Sequence, residues 1–251
     1  MSSSSTVVLI TGANSGIGYA TAEVLAAESP NYHVILASRS LSNGKAALQA
    51  IEAACIVKGS LSVIQLDVTD RASIEAAAKQ IDQQFGRLDV LINNAGIVSR
   101  NSSLKIAIEE TFAVNVIGVA LVAEAFTPLL LRSPCPYSLF MSSGLGSLSM
   151  ATDPNAGSYS APYNVYRMSK AALNMFVVQQ YKELNKKGVK VFAVCPGLVR
   201  SNLRGKDEES VSESGIAGDP KESGRTILSV IEGRRDGDLG RFVHAGGVYA
   251  W

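Results

Sequence analysis

Short apolar runs alternate along this chain with longer segments whose apolar residues recur at helical spacing. The short runs predict buried strands at Thr6–Thr11, Tyr32–Ala37, Ser62–Leu66, Val90–Ile92, Leu139–Met141, Val189–Val194 and Arg241–Val243. The longer segments predict helices from about Ile17, over Ser42–Ile56, Arg71–Phe85, Ile106–Leu131 and Tyr163–Leu184, and from Asp219 to about Glu232. Strands that alternate with helices favour one parallel sheet covered by helices on both faces. The pattern therefore predicts a single α/β domain over residues 1–251, without a repeat or a linker.

One stretch breaks this alternation shortly before the last predicted helix. Asn202–Gly218 is polar, charged and rich in glycine and serine, and it has no apolar period. Such a segment is typical of a mobile flap, so we expect it to be a substrate lid. The next four residues, Asp219 to Glu222, have the pattern of a capping box, and Pro220 occupies the first helical position.

Charge, cysteine usage and histidine count narrow the classes of function. The chain has 251 residues and a net charge of +1, so it has no long-range field that would attract nucleic acid. Cys55, Cys135 and Cys195 are far apart, which favours a reducing compartment and argues against a thiolate metal site. The two histidines, His33 and His244, are better explained by packing, and we predict no metal site.

Neither the apolar runs nor the N-terminus indicate a membrane or an exported protein. No apolar run approaches the ~18–20 residues that cross a bilayer. The N-terminus has four serines and Thr6 before the short Val7–Ile10 run, and it lacks the basic and long apolar regions of a signal peptide. We therefore expect a cytoplasmic protein that does not bind membranes.

A glycine-rich turn joins the first predicted strand to the first predicted helix. Gly12 permits the tight turn, Gly16 lets the backbone approach a pyrophosphate, and Gly18 lets the helix pack close to the sheet. The helix N-terminus then offers free N–H groups and a positive dipole end to phosphates. The order strand, turn, helix therefore predicts a dinucleotide site.

The end of the second predicted strand indicates which dinucleotide would bind. An acidic residue there would hydrogen-bond a ribose 2′-hydroxyl, whereas an arginine suits a 2′-phosphate. Ser38 and Arg39 occupy this position, and no Asp or Glu is present. The pattern predicts NADP(H) rather than NAD(H).

The segment from Ser142 to Lys170 combines three groups suited to acid–base chemistry. Tyr166 and Lys170 are four residues apart in a predicted helix, so they lie on the same face. A phenol ionises near pH ~10, and an adjacent ammonium lowers that pKa toward the working range. A serine hydroxyl at the preceding strand end could hydrogen-bond the substrate oxygen that Tyr166 protonates.

Asn115 is an unusual residue within the long helix predicted at Ile106–Leu131. Its side chain competes for backbone groups, and it needs hydrogen-bond partners when buried. The residues alone support equally a structural role, in which Asn115 ties the helix to a strand, and a catalytic role.

The chain resembles the short-chain dehydrogenase/reductase family over nearly its whole length. The matching motifs are Thr11-Gly12-x-x-x-Gly16-x-Gly18, Asn93-Asn94-Ala95-Gly96, Tyr166-x-x-x-Lys170, and Pro196-Gly197 followed by Val199 and Ser201. The resemblance implies a Rossmann-type, doubly wound parallel sheet of about seven strands. It also implies a catalytic set of Asn115, Ser143, Tyr166 and Lys170.

The resemblance assigns a role to each member of the catalytic set. Tyr166 would be the general acid in carbonyl reduction and the base in alcohol oxidation. Lys170 would lower the pKa of Tyr166 and hold the nicotinamide ribose. Ser143 would position the substrate oxygen, and Asn115 would hold a water that relays protons to Lys170.

The resemblance also implies the cofactor contacts. The residues would be Asn14, Ser15 and Ile17 at the pyrophosphate, Arg39 at the 2′-phosphate, Asp67 and Val68 at the adenine, Asn93 at the adenosine ribose, and Val199 and Ser201 at the carboxamide. Gly12, Gly16, Gly18, Ala95, Gly96, Pro196 and Gly197, with Tyr166 and Lys170, complete the expected site.

One spacing departs from the common family pattern. Ser143 precedes Tyr166 by 23 positions, whereas the family resemblance leads us to expect only a dozen or so. Ser142, Ser147 and Ser149 are therefore alternatives, and Ser143 is preferred because it follows the strand end. The longer loop resembles the carbonyl-reductase branch, in which such an insertion covers a helix face used for dimers, so a monomer is expected over a homodimer.

These features predict an NADPH-dependent reductase that converts a ketone, aldehyde or quinone carbonyl of a small molecule to an alcohol. The alternative is an NADP-binding protein with a non-redox role, either an isomerase, dehydratase or cyclase, or a regulatory binding module. The substrate itself depends on the lid and on the loop Gly144–Val165, whose conformations the sequence does not predict.

Overall fold

A computed structural model describes residues 5–251 of the chain as one α/β domain. The strands are β1 (Thr6–Thr11), β2 (Tyr32–Ser38), β3 (Ser60–Gln65), β4 (Val90–Asn93), β5 (Tyr137–Met141), β6 (Lys190–Val194), β7 (Phe242–His244) and β8 (Gly247–Tyr249). The α-helices are α1 (Gly16–Glu28), α2 (Leu41–Ala54), α3 (Arg71–Phe85), α4 (Leu104–Phe112), α5 (Val119–Leu130), α6 (Leu148–Thr152), α7 (Asn164–Leu184), α8 (Glu208–Ser212) and α9 (Pro220–Ile231).

The strands form one sheet in the order β3-β2-β1-β4-β5-β6-β7-β8. All neighbours are parallel except β7 and β8, which are antiparallel. The central strands β1, β4, β5 and β6 are almost entirely buried because helices cover both faces, and this explains their unbroken apolar runs. The doubly wound α/β fold is confirmed. The strand order reverses between β1 and β4, so a crevice opens at their carboxyl ends.

The sheet has eight strands, whereas about seven were expected. The additional strand, β8, is three residues long and returns along β7 after the turn around Gly246. With three residues, β8 is too short for an alternation of apolar and polar positions to distinguish a strand from a loop in the sequence. It forms because its backbone pairs with β7 and its aromatic neighbours pack on Phe242.

The long helix predicted at Ile106–Leu131 is not one regular α-helix. It begins at Leu104, changes to a π-helix over Ala113–Gly118, and continues as α5 to Leu130. The π-helical turn contains Asn115, whose amide groups are bonded to the loop after β4. Apolar periodicity predicts the helix, but it does not distinguish i→i+4 from i→i+5 backbone bonding, and such turns are frequent at functional sites.

The same continuous segment corrects the expectation that no stretch is apolar enough to cross a membrane. Within residues 5–251, Leu104–Leu130 satisfies that test by length and composition, with a mean hydropathy of 1.8. The expectation considered uninterrupted apolar runs, whereas this helix includes Asn115 and several glutamates. Val122 and Phe126 are fully buried and belong to the main apolar cluster. The segment is therefore a core helix of this domain.

The start of α9 confirms part of the predicted capping box. The Asp219 carboxylate accepts a hydrogen bond from the Lys221 amide at 2.9 Å, and Pro220 is the first helical residue. The reciprocal half does not form, because the Glu222 carboxylate pairs with Arg225 one turn later. The cap nevertheless fixes where the lid ends and where α9 begins to pack on α1.

Candidate active site

A cavity of about 850 Å³ lies at the carboxyl ends of the strands, beside the switch between β1 and β4. Most of the predicted site residues line it, namely Gly12, Asn14, Ser15, Gly16, Ile17, Arg39, Asp67, Val68, Ala95, Gly96, Tyr166, Lys170, Pro196 and Ser201. The predicted residues outside this lining are Gly18, Asn93, Asn115, Ser143, Gly197 and Val199. The fold thus brings together predicted groups from six widely separated segments of the chain.

The glycine-rich turn at the start of α1 forms one wall of the cavity. Gly12 has φ +64°, and a side chain there would lie 3.0 Å from the Ala95 Cα atom. Gly16 has φ +56°, so both positions favour glycine. Ser15 begins the helix without a side-chain cap, which leaves its first amides for an anion. The cradle therefore fits a pyrophosphate.

Gly18 has a different role, because it allows close packing behind this turn. A Cβ atom on Gly18 would lie 2.5 Å from the Asn94 Nδ2 atom and 2.7 Å from the Gly12 carbonyl oxygen. This agrees with the packing role predicted for the third glycine. Gly18 supports the cradle without lining the cavity.

The segment after β4 holds the two central strands together. The Thr11 hydroxyl accepts hydrogen bonds from the amides of Asn94 (2.9 Å) and Ala95 (3.0 Å). The Asn94 side chain donates in return to the Thr11 carbonyl at 2.8 Å. Asn93 is buried in the sheet, and its Nδ2 atom lies 3.4 Å from the Leu139 carbonyl oxygen. The ribose contact assigned to Asn93 stays a prediction, and Asn94 lines the cavity instead.

The adenosine end of the cavity is marked by the end of β2. Arg39 is exposed at the cavity edge, and its carbonyl accepts a hydrogen bond from the Gln65 side chain at 3.3 Å. Ser38 is buried and its hydroxyl donates to the Asn14 side chain at 3.2 Å. The Arg39 guanidinium is therefore available for a ligand, as a 2′-phosphate would require.

Tyr166 and Lys170 lie on one face of α7 at the inner end of the cavity. Their relative exposures are only 9% and 4%. The Lys170 Nζ atom donates to the Met141 carbonyl at 2.8 Å and lies 5.5 Å from the centroid of the Tyr166 ring. The α7 helix begins at Asn164, one residue later than predicted, because Tyr163 has φ 79°. The two catalytic candidates are therefore adjacent, as their spacing predicted.

Burial controls the ionisation of both groups, which corrects one part of the sequence argument. Burial raises the pKa of Tyr166 above its ordinary value, although hydrogen bonding with Ser143 and the charge of Arg204 oppose this rise. Burial also lowers the pKa of Lys170 to about 8. Lys170 therefore does not dominate the Tyr166 pKa, since desolvation disfavours both the phenolate and the ammonium.

The geometry favours Ser143 among the serines that the sequence left open. Ser142 is buried and its hydroxyl donates to the Asn174 side chain at 2.5 Å. The Ser143 hydroxyl accepts from the Leu145 amide at 3.2 Å, and its interaction with Tyr166 opposes the rise that burial causes in the pKa of the phenol. Ser147 caps α6 and donates to the Ala250 carbonyl.

Asn115 is fully buried in the π-helical turn and has three good hydrogen bonds. Its Oδ1 atom accepts from the Ile97 amide at 2.9 Å, and its Nδ2 atom donates to the Ile97 carbonyl at 2.9 Å and to the Ser169 hydroxyl at 3.1 Å. These bonds tie the helix to the loop after β4 and to α7. The structural role left open by the sequence is thus observed, and the water-holding role stays a prediction.

The sequence reasoning missed several residues that line the cavity. They include Asn94, Ile97, Val98 and Arg100 in the segment after β4, and Val114 in the π-helix. The sequence did contain a signal for the segment after β4, because Asn93-Asn94-Ala95-Gly96 already marked a strand end at the crevice. The lid contributes Asn202, Leu203, Gly205, Lys206 and Asp207, so its expected position over the site is observed.

Comparisons with known proteins agree with this arrangement. A sequence profile of short chain dehydrogenases matches residues 6–212. The short-chain dehydrogenase/reductase tropE of Talaromyces stipitatus is 34% identical over 255 aligned positions, which cover 94% of each chain. The short-chain dehydrogenase anuI of Penicillium roqueforti is 37% identical over 217 positions, which cover 83% of this chain and 84% of that protein.

A solved structure is similar over its whole length. The NADPH-bound carbonyl reductase from chicken fatty liver superimposes with a TM-score of 0.82 and 30% identity, and the match covers 99% of this chain and 100% of that one. The glycine cradle, the paired Tyr166 and Lys170, and the matching profile have one common explanation. This chain belongs to the short-chain dehydrogenase family, whose members are oxidoreductases that bind a nicotinamide cofactor.

Proposed function

We propose that this protein is an NADPH-dependent reductase that converts a ketone, aldehyde or quinone carbonyl of a small molecule to an alcohol. The observation that carries the proposal is that Tyr166 and Lys170 lie together in a cavity whose edge presents Arg39. The similarity to an NADPH-bound carbonyl reductase supports the same reaction and cofactor.

The proposed reaction assigns the proton chemistry to the side chains of this chain. The bound nicotinamide supplies the hydride and the protein supplies orientation and the proton. Tyr166 stays protonated near neutral pH because burial raises its pKa, so it can donate a proton to the carbonyl oxygen. Ser143 donates a hydrogen bond to the same oxygen. The raised pKa also makes the phenolate a strong base, so Tyr166 is readily reprotonated after each turnover.

Lys170 supports this chemistry from a position close to the phenol, since its Nζ atom lies 5.5 Å from the centroid of the Tyr166 ring. Its pKa of about 8 allows it to bind or release a proton close to neutral pH. Gly96 leaves space beside it, because a side chain at Gly96 would lie 3.4 Å from the Asn115 Oδ1 atom and 3.7 Å from the Lys170 Nζ atom. We propose that a water held near Asn115 delivers protons through Lys170.

The experiment that tests this function follows the loss of reduced-nicotinamide absorbance with NADPH and with NADH. The panel contains quinones, diketones, aldehydes and cyclic ketones. Turnover should be clearly faster with NADPH. Faster turnover with NADH would leave a reductase but overturn the interpretation of Arg39, and tight NADPH binding without any turnover would favour the non-redox alternatives.

Arg39 is the residue on which the cofactor preference depends. Arg39→Ala should raise the KM for NADPH by about 10- to 100-fold, because it removes a charge-assisted contact with the 2′-phosphate. The KM for NADH should change by less than about threefold, since that ribose has no phosphate. Arg225→Ala is the control, because Arg225 is exposed and pairs with Glu222 outside the cavity. An equal rise in the KM values for NADPH and NADH in Arg39→Ala would contradict the assignment of Arg39 to the 2′-phosphate.

We also propose that the chain is monomeric and cytoplasmic. The insertion before α7 is held against that helix, because the Arg167 Nη1 atom donates to the carbonyls of Ser158 (2.7 Å) and Ala161 (3.2 Å). Sedimentation velocity should give a single species of about 26.4 kDa. A dimer would contradict this, and it would explain why Met168 and Met175 on α7 are exposed.

A further inference from the structure

The lid is a closed loop whose two ends are hydrogen-bonded to each other. The Arg200 amide donates to the Gly218 carbonyl at 3.0 Å, and the Gly218 amide donates to the Leu198 carbonyl at 3.0 Å. Between these ends lies the short helix α8, capped by the Asp207 carboxylate. Because the two ends are joined, the contacts inside the loop determine the shape of the lid.

The side chain of Arg204 lies inside the lid and makes several of these contacts. Its Nη2 atom donates to the carbonyls of Val199 (2.9 Å) and Val211 (3.0 Å), and its Nε atom donates to the Ser210 carbonyl at 3.2 Å. The Nε atom also forms an ion pair with the Glu213 carboxylate at 2.6 Å. The Arg204 side chain is only 12% exposed. One guanidinium therefore connects the base of the lid to the C-terminal half of α8 and to Glu213, the residue that follows it.

The backbone that Arg204 supports is strained. Glu213 has φ 47° and Ser214 has φ 54°, although neither residue is glycine. Such conformations persist where the surroundings hold them, and they concentrate at functional sites. The ion pair with Arg204 fixes the Glu213 side chain directly. This gives a physical reason for a buried, paired arginine in a polar loop.

The lid that Arg204 holds forms part of the candidate site. Leu203 and Gly205, on either side of Arg204, line the same cavity as Tyr166. A change in the shape of the lid therefore changes one wall of that cavity.

We propose that Arg204 is a positioning residue, which fixes the shape of the lid and with it one wall of the cavity that Tyr166 lines. The part concerning the cavity rests on the proposed reductase function, whereas the part concerning the lid does not. The two parts are therefore tested by separate measurements.

Hydrogen–deuterium exchange of the purified protein tests the role in the lid. In Arg204→Met, amides within residues 199–218 should exchange at least about tenfold faster, because local opening loses its main restraint. Arg200→Met is the matched control: Arg200 lies in the same segment and pairs with Glu208 at 2.9 Å, but the two side chains are 42% and 75% exposed. Its exchange should stay within about twofold of wild type.

A second variant covers the case in which Arg204→Met does not fold. Glu213→Gln keeps the guanidinium but removes the ion pair, and it should raise exchange around residues 210–218 more than Arg200→Met does. Exchange in β1, β4 and β5 should be unchanged in every variant, which separates a lid effect from global destabilisation. Lid exchange equal to that of Arg200→Met would overturn the role in the lid.

The kinetics of carbonyl reduction test what the lid does for the site. Leu203 and Gly205 line the cavity beside Arg204, so a loosened lid in Arg204→Met should raise the KM for the carbonyl substrate by about tenfold. The kcat should stay within about threefold, because Tyr166 and Lys170 are not in the lid. Arg204→Lys should restore neither the KM nor the slow exchange of the lid, because the planar fork that makes several hydrogen bonds at once is lost.

The outcomes separate this inference from the proposed function. An unchanged KM in an active Arg204→Met enzyme would overturn the role of Arg204 at the cavity. A wild-type protein without carbonyl turnover would refute the proposed function, whereas the exchange measurement would still decide the role of Arg204 in the lid.

Discussion

At the residue scale, burial explains the ionisation of the catalytic pair better than proximity does. Tyr166 and Lys170 are both almost fully buried, so each is displaced toward its neutral form. The spacing in the sequence predicted that they would be adjacent, and they are. It did not reveal the solvation of the two groups, because solvation depends on the β5 and β6 segments that close over α7.

The buried Lys170 should make stability depend on pH in a specific direction. Its pKa is about 8 in the folded protein and has an ordinary value of 10.5, so the unfolded chain binds more protons between these pH values. The wild type therefore gains stability as pH rises through that range. The stability of Lys170→Met relative to wild type should fall by up to about 1.4 kcal/mol per pH unit above pH ~8. Urea denaturation between pH 7 and 9.5 measures this.

Lys190→Met provides the control for that prediction. Burial lowers the pKa of Lys190, but hydrogen bonds with Asp236 and Tyr137 raise it more, so the net pKa is above its ordinary value. Lys190 therefore stays protonated in the folded and unfolded states throughout the tested range. The stability of Lys190→Met relative to wild type should therefore not change with pH below pH ~9.5, because Lys190 keeps its proton there in both the folded and the unfolded chain. A flat profile for Lys170→Met as well would contradict the account of Lys170.

At the element scale, the π-helical turn connects the fold to the site. Asn115 interrupts the regular helix and bonds both backbone groups of Ile97, so the loop that lines the cavity is fixed by the helix behind it. Apolar spacing predicted the helix and its approximate ends. The π-helical turn could not be predicted from the sequence, because it depends on hydrogen bonds between Asn115 and a loop 18 residues earlier.

Replacement of Asn115 should therefore destabilise the whole domain. Asn115→Ala leaves the half-buried Ile97 amide and carbonyl without their partner and removes a fully buried side chain, and we expect the free energy of unfolding to fall by about 2–4 kcal/mol. Asn155→Ala, at an exposed position in the insertion, should change it by less than about 0.5 kcal/mol. Chemical denaturation compares the two variants, and similar values would show that the bonds to Ile97 contribute little.

The elements that the sequence predicted best are those with a long periodic pattern. The buried strands and helices α1, α2, α3 and α7 were located to within a few residues. The short elements β8, α6 and α8 were not predicted, since three to five residues carry no measurable period. They form because distant groups cap or pair with them, as the Asp207 side chain does for α8.

At the scale of the whole molecule, the C-terminal residues support the segment that follows Ser143. The ring of Trp251 stacks on Phe242 with centroids 5.5 Å apart. The Trp251 carbonyl accepts from the Ser149 amide at 3.0 Å, and the Ala250 carbonyl accepts from the Ser147 hydroxyl at 2.7 Å. Residues at the far end of the chain thus hold the segment that follows Ser143 in place.

Loss of this aromatic stack should weaken the fold without abolishing cofactor binding. Trp251→Ala should lower the free energy of unfolding by about 1–3 kcal/mol, because the partly buried indole and its ring contact are removed. Val248→Ala is the control, since Val248 is in the same β8 strand with 37% exposure. Thermal unfolding followed by circular dichroism measures both, and equal midpoints for Trp251→Ala and wild type would contradict the prediction.

The candidate site was predictable to the extent that its residues follow strand ends or have a fixed spacing. The glycine turn, Arg39, Tyr166 and Lys170 all satisfy one of these conditions, and all line the cavity. Arg204 satisfies neither, because its role depends on the folding of the lid around it. Ser143 was identified by its strand end, and the structure strengthens the choice by engaging Ser142 elsewhere.

The most direct test of the central claim is the turnover of Tyr166→Phe. This change removes only the phenolic hydroxyl, so kcat for carbonyl reduction should fall by about 10²- to 10⁴-fold, while NADPH affinity stays within about threefold. Tyr159→Phe, in the insertion and 48% exposed, should retain wild-type kcat. Full activity of Tyr166→Phe would contradict the assignment of the proton donor and with it the proposed mechanism.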